Sequence, residues 1–216
     1  MLANIIFETF TKGGPIMWPL LIVSIVSFGC VIERAAWWLS ESRKREDAKL
    51  DKVYGALSDG DYETASRVAE GSADPRVRVI YRGLHHAQSS LVGAMQVQAG
   101  VELQRAGRFQ MVMDTAITLA PLLGLLGTVT GILNSFSGVG DSELAVSKVS
   151  GGIGEALIAT AGGLGVAILT LIPYNYFNSR IARLQFELEN ALTNTEVLVD
   201  SAKKKGYDTQ IWRKGE

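Results

Sequence analysis

Three long stretches of the 216-residue chain contain no charged residue, and they constrain the fold more than any other feature. The stretches are 13–32, 115–140 and 156–179. About 20 helical residues cross the roughly 30 Å hydrocarbon core of a bilayer, so each stretch is long enough for one transmembrane helix. The sequence therefore predicts an all-α integral membrane protein with three transmembrane helices.

The charged residues crowd between and after these stretches, which predicts helical extensions outside the membrane. The predicted segments are an outer interfacial segment at 1–14, a first span at 15–39, a cytoplasmic helical region at 40–113, a second span at 114–137, a short outer loop at 138–148, a third span at 149–178, and a cytoplasmic C-terminal helix and tail at 179–216. Asp61 and the pair Asp74-Pro75 are helix start signals. No proline follows Pro75 before Pro121, so a helix from Pro75 can run into the second span without a stop, although Gly83, Gly93, Gly100 and Gly107 permit a bend or break.

Lysine and arginine are distributed unequally across the predicted membrane. Most follow the first and third spans or precede the second, whereas only Lys12 and Lys148 lie on the opposite side. The positive-inside rule predicts a cytoplasmic C-terminus and an N-terminus on the outer, periplasmic side.

Several functional classes find no support in the composition. A net charge of −1 gives no basic bias towards nucleic acid, and the single cysteine, Cys30, excludes a disulfide framework. The sequence has no phosphate-binding loop with a lysine and no Cys or His spacing for a metal, and adjacent His85 and His86 point in different directions on a helix. We therefore expect no cofactor, no metal site and no enzyme activity.

Glu155 is the acidic residue most relevant to function. If the third helix begins near Val149, Glu155 lies nearly two turns inside the span, where an acid costs about 2.5–3.5 kcal/mol and marks a functional site. If the helix begins near Gly152, Glu155 would instead stabilise the first turn and touch water. The sequence alone leaves both interpretations open.

Threonines and glycines in the second and third spans form two further patterns. Thr128 and Thr160 could line a wet path, although an interhelical bond or a bond to the preceding turn is the commoner role. Small residues permit close helix packing, as expected in an oligomer, and the predicted packing glycines are Gly124, Gly127, Gly131, Gly162 and Gly163.

Two motifs resemble a known family. Residues 119–132, which read LAPLLGLLGTVTGI and are followed by Asn134-Ser135-Phe136, resemble the second span of the ExbB/TolQ proteins, which are related to MotA. Residues 155–164, EALIATAGGL, resemble the third span. The MotA branch usually has four spans, so three spans place the resemblance nearest the ExbB/TolQ branch.

The resemblance implies a function and a set of partners. It implies a homo-oligomer, a pentamer, around two copies of a single-span protein similar to ExbD or TolR, which supplies an aspartate. It also implies a proton pathway through Glu155, Thr128 and Thr160 in the bacterial inner membrane. Proton flow would drive an envelope process through a protein similar to TonB or TolA.

Two alternatives remain beside this motor subunit. The first is a non-conducting membrane scaffold, in which the glycine faces only assemble helices. The second, less supported, is a membrane enzyme with Glu155 as general acid or base.

Overall fold

The described chain is helical, as the sequence predicted. A computed structural model describes residues 8–136 and 144–206, and no strand occurs within these ranges. The helices are α1 (Met17–Ser42), α2 (Asp47–Ser58), α3 (Tyr62–Ala69), α4 (Pro75–His85), α5 (Ala87–Ala106), α6 (Gln110–Phe136) and α7 (Leu144–Lys204). Part of the predicted outer segment at 1–14, much of the predicted loop at 138–148 and the end of the predicted tail lie outside the described residues.

Three of these helices have the length and apolar composition of membrane spans. They are Met17–Ser42, Gln110–Phe136 and Val149–Lys204, the last being the greater part of α7. This confirms the predicted all-α membrane fold with three spans. The pentamer stays a prediction.

The chain divides into two compact units. The first unit comprises residues 1–35 and 109–177. Its large apolar side chains, such as Ile22, Leu133 and Ile172, point outwards and are exposed, whereas Ala120 and Ala159 are buried between helices. A bundle with small residues inside and large apolar residues outside suits lipid, because lipid provides no hydrophobic drive to hide leucine or isoleucine.

The second unit comprises residues 36–108 and 178–216. In it, α2 packs against α3 and α4 packs against α5. Its core has the larger side chains typical of a water-soluble bundle, namely Leu50, Val53, Leu57, Tyr62, Val77, Ile80, Leu84, Met95 and Leu188.

The two predicted helix start signals are present in this second unit. Asp61 accepts a hydrogen bond from the backbone N–H of Thr64 at the start of α3. The Asp74 carboxylate accepts a hydrogen bond from the backbone N–H of Arg76 at the start of α4. Burial raises the pKa of the Asp74 carboxyl, but hydrogen bonds from Arg76 and from the backbone N–H of Glu46 outweigh it, so this pKa lies below its ordinary value.

The helix from Pro75 does not run continuously into the second span. It ends at His85, and α5 contains a bend at Ser90, whose hydroxyl accepts a hydrogen bond from the Gly93 N–H and recaps the following turns. A second break separates α5 from α6, where Phe109 adopts a left-handed backbone with φ of 66°.

Candidate functional site

Glu155 lies well inside α7. Because α7 begins at Leu144, Glu155 is about three turns from its first residue. The interpretation that places Glu155 in a first turn needs a helix start near Gly152, and the structure does not have one there. The side chain is half-buried, and within the described residues its carboxylate makes no hydrogen bond and no ion pair.

The carboxylate of Glu155 packs against Gly14, a contact that the sequence did not indicate. Gly14 has φ of +74°, and a Cβ built on it would overlap the Glu155 Oε1 atom. The Gly14 carbonyl accepts a hydrogen bond from the Met17 N–H at 3.1 Å, which opens the first turn of α1. The acid therefore lies at the N-terminal end of a helix, where partial positive charge favours an anion.

The two predicted threonines make different hydrogen bonds. The Thr160 hydroxyl donates across helices to the Gly124 carbonyl oxygen at 2.9 Å. The Thr128 hydroxyl donates within α6 to the Leu125 carbonyl oxygen at 2.6 Å. Both hydroxyl protons are thus engaged, while the oxygen lone pairs can still accept a hydrogen bond.

Within one chain, the three predicted pathway residues do not form a single cluster. Glu155 and Thr160 are five residues apart on one helix, so their directions differ by about 140°. Glu155 faces Gly14, whereas Thr160 faces Gly124. No hydrogen bond joins the carboxylate to Thr160 or Thr128 in the described part of the chain.

Small residues bring α6 and α7 into close contact along a line we call the α6–α7 seam. A Cβ on Gly124 would lie 3.0 Å from the Ala159 carbonyl oxygen, and one on Gly131 would lie 3.1 Å from the Ala156 Cβ. A Cβ on Gly127 would lie 2.6 Å from the Ala159 Cβ. The seam therefore consists of Gly124, Gly127 and Gly131 on α6 facing Ala156, Ala159 and Gly163 on α7.

The two adjacent glycines of α7 face different helices. A Cβ on Gly163 would overlap the Ala120 carbonyl oxygen of α6. A Cβ on Gly162 would lie 3.1 Å from Leu20 of α1. Gly162 thus contacts the first span, outside the α6–α7 seam.

A buried polar pair joins α1 to α7. The Ser27 and Thr170 hydroxyl oxygens are 2.6 Å apart, and both side chains are fully buried. Since the Thr170 hydroxyl donates to the Val166 carbonyl oxygen at 2.8 Å, Ser27 is the donor in the pair. Sequence reasoning missed this pair, because single hydroxyl residues on separate spans carry no spacing signal.

A buried arginine marks the end of the first apolar stretch. Arg34 is 1% exposed, and its guanidinium binds the Glu33 carboxylate through two contacts of 2.5 and 2.7 Å. The guanidinium carbon also lies 5.9 Å from the Phe109 ring centroid. The pairing neutralises both charges locally. No group of His, Cys, Asp and Glu among the described residues could hold a metal ion.

Comparison with known proteins identifies the family. The model of the MotA/TolQ/ExbB proton channel family matches residues 72–190, which include Glu155, both threonines and the α6–α7 seam. An ExbB-like biopolymer transport protein of Synechocystis sp. is 33% identical over 208 residues, covering 91% of this chain and 98% of the relative.

Two further relatives cover most of the chain. The biopolymer transport protein ExbB of Neisseria meningitidis is 48% identical over 188 residues, covering 78% of this chain and 85% of that protein. The Tol-Pal system protein TolQ of Haemophilus influenzae is 28% identical over 209 residues, covering 85% of this chain and 88% of that protein. The chain is therefore a member of the MotA/TolQ/ExbB proton channel family.

Proposed function

We propose that this chain is the proton-channel subunit of an inner-membrane motor that uses the proton motive force to drive an envelope process. The observation that carries the proposal is Glu155, whose carboxylate lies nearly two turns inside the candidate span that begins at Val149 and has no cation paired to it in the described residues. An acid in that position is functional by default, because its insertion is costly.

The energy scale fits a group that changes its proton state during each cycle. Holding a carboxylate in the span costs about 2.5–3.5 kcal/mol. A membrane potential contributes about 2.3 kcal/mol per charge for each 100 mV. The two quantities are comparable, so the proton motive force is large enough to do work on a charge held in the span.

The separation of Glu155 from Thr160 supports an assembly of several chains. The two side chains point about 140° apart on α7, so one copy alone does not build a continuous polar path. We propose a pentamer in which Glu155, Thr128 and Thr160 of the ring face two copies of a single-span partner similar to ExbD or TolR. The partner's aspartate would exchange the proton with Glu155.

The process driven is proposed from the relatives. The names of these relatives divide between biopolymer transport and the Tol-Pal system, and the chain is more similar in sequence to the ExbB protein of Neisseria meningitidis than to TolQ of Haemophilus influenzae. This favours an ExbB-like role that delivers force through a protein similar to TonB, with a TolA-like route as the other branch. The N-terminus is proposed to be periplasmic and the C-terminus cytoplasmic.

A non-conducting scaffold is the second candidate. The hydrogen bond from Thr160 to Gly124 and the small residues of the α6–α7 seam are fully accounted for by helix packing. On this view Glu155 has no role in ion flow, and its contact with Gly14 is only structural.

The two candidates differ in what Glu155→Gln does. The complex with its single-span partner is reconstituted into vesicles with a pH-sensitive dye inside, and a pH gradient is applied. We expect Glu155→Gln to reduce proton uptake to the level of empty vesicles, with the same oligomer and partner by native mass spectrometry. Glu63→Gln is the matched control, because Glu63 is exposed on α3 outside the spans. Uptake by the wild-type complex no greater than that of empty vesicles would favour the scaffold, and wild-type uptake by Glu155→Gln would refute the proposed role of Glu155.

A further inference from the structure

A cleft in the second unit lies where α1 and α7 leave their apolar stretches. We call it the Trp38–Arg180 cleft. Arg180 is the first charged residue after the uncharged stretch 156–179, and Trp38 follows the first stretch. Tryptophan is typical of the membrane–water interface. The cleft is lined by Trp38, Arg45, Arg76, Arg180, Arg183 and Glu187, together with neighbouring residues of α1 and α4.

Arg180 differs from the other arginines of this cleft in its partners. Its guanidinium carbon lies 5.2 Å from the centre of the Trp38 ring, and the side chain is half-buried. Within the described residues it has no carboxylate partner and donates no hydrogen bond. By contrast, Arg45 and Arg183 both bind Glu187, at 2.5 and 3.2 Å.

The charge of the cleft therefore remains uncompensated at one position. Its lining contains four arginines and three carboxylates, the latter being Glu41, Asp74 and Glu187. Arg76 is paired with Asp74 at 2.6 Å. Glu41 binds Lys44 and Arg78, which lie outside the lining. Arg180 is thus the arginine of the lining without a carboxylate partner among the described residues; the face of the Trp38 ring fixes its orientation, and it has five N–H donors to offer.

We propose that the Trp38–Arg180 cleft binds the headgroup of an anionic phospholipid. A guanidinium matches the geometry of phosphate oxygens and can bind two of them at once. The phosphate would come from the bilayer rather than from solution, because Arg180 lies directly at the end of a membrane-length apolar stretch. Basic pockets beside transmembrane helices are recognised sites for lipid headgroups.

The test compares lipids retained by the full-length protein in native mass spectrometry. Protein extracted in mild detergent is supplied with phosphatidylglycerol or phosphatidylcholine at equal concentration. We expect preferential retention of phosphatidylglycerol, and an affinity about fivefold lower in Arg180→Gln, the effect of one basic residue at a membrane surface. Arg82→Gln is the matched control, because Arg82 is exposed on α4 outside the cleft.

Three results would overturn the proposal. The first is equal retention of both lipids by the wild type, which requires no variant to fold. The second is the same preference in Arg180→Gln as in Arg82→Gln, with circular dichroism showing equal helicity. The third is displacement of phosphatidylglycerol by inorganic phosphate at equal concentration, which would identify a site for soluble anions.

Discussion

Replacement of Gly163 by alanine tests whether the α6–α7 seam stabilises the first unit. Gly163 is buried, and an added Cβ would overlap the Ala120 carbonyl oxygen. That oxygen belongs to the backbone of α6 and cannot rotate away as a flexible side chain would. The helices must therefore separate locally, which loses contacts along the seam.

The size of the effect follows from comparing Gly163 with Gly165, two residues later on the same helix. A Cβ on Gly165 meets nothing within 4 Å. Gly165→Ala should gain about 0.5–1 kcal/mol, because alanine loses less backbone entropy in a helix. Gly163→Ala gains the same entropic stabilisation, but overpacking against α6 destabilises it by about 1–3 kcal/mol. The two variants should differ by the overpacking cost alone.

Thermal unfolding in detergent, followed by tryptophan fluorescence, measures this difference. At about 2–4 °C per kcal/mol for a chain of this size, Gly163→Ala should melt at least about 2 °C below Gly165→Ala. Equal melting temperatures for the two variants would show that α6 and α7 do not pack as described.

Two further substitutions test the contact of Glu155 with Gly14 and the role of Asp74 in the second unit. Gly14→Ala should lower proton uptake, because the added Cβ displaces the Glu155 carboxylate and the positive φ costs alanine about 1–2 kcal/mol. Gly29→Ala is the control and should leave uptake unchanged, because the space around Gly29 is open. Normal uptake by Gly14→Ala would separate this contact from function. Asp74→Asn should cost about 2 kcal/mol of unfolding free energy, because it removes the buried carboxylate that accepts hydrogen bonds from Arg76 and leaves that arginine with Asp47 as its acidic partner. Exposed Asp61→Asn should cost under about 0.5 kcal/mol. The pKa of Asp74 is lower in the folded protein than in the unfolded chain, so the ionised carboxylate stabilises the fold above about pH 4. This stabilisation is lost as the pH falls through the folded pKa. A wild-type melting temperature that does not change over this acidic range would contradict the prediction.

The spans were predictable because lipid imposes simple demands on a sequence. Length and lack of charge identified α1, α6 and the first part of α7 without knowledge of their packing. The starts of α3 and α4 were equally accessible, since Asp61 and Asp74 form local hydrogen bonds with their own helices.

Features that depend on contacts between distant segments were not predictable in this way. The position of Glu155 in its helix stayed open, because Asp141, Ser142, Ser147 and Ser150 are all suitable N-cap residues and no proline selects one of them as the start. The contact of Glu155 with Gly14 depends on packing between separate segments, and the left-handed backbone of Phe109 has no sequence signal, because phenylalanine rarely adopts it. The sequence allowed a continuous helix from Pro75 or a break at a glycine, yet the bend in α5 lies at Ser90, which caps the turns that follow.

The buried pair of Ser27 and Thr170 has a consequence for the order of synthesis. The two residues are 143 positions apart, so α1 is complete long before its partner hydroxyl exists. A serine in a lone helix can donate a hydrogen bond to a carbonyl oxygen of its own preceding turn, so the Ser27 hydroxyl is satisfied in the bilayer before Thr170 is made. Docking of α1 onto α7 must then follow translation of Thr170, and a nascent chain that stops short of it would hold α1 without this anchor.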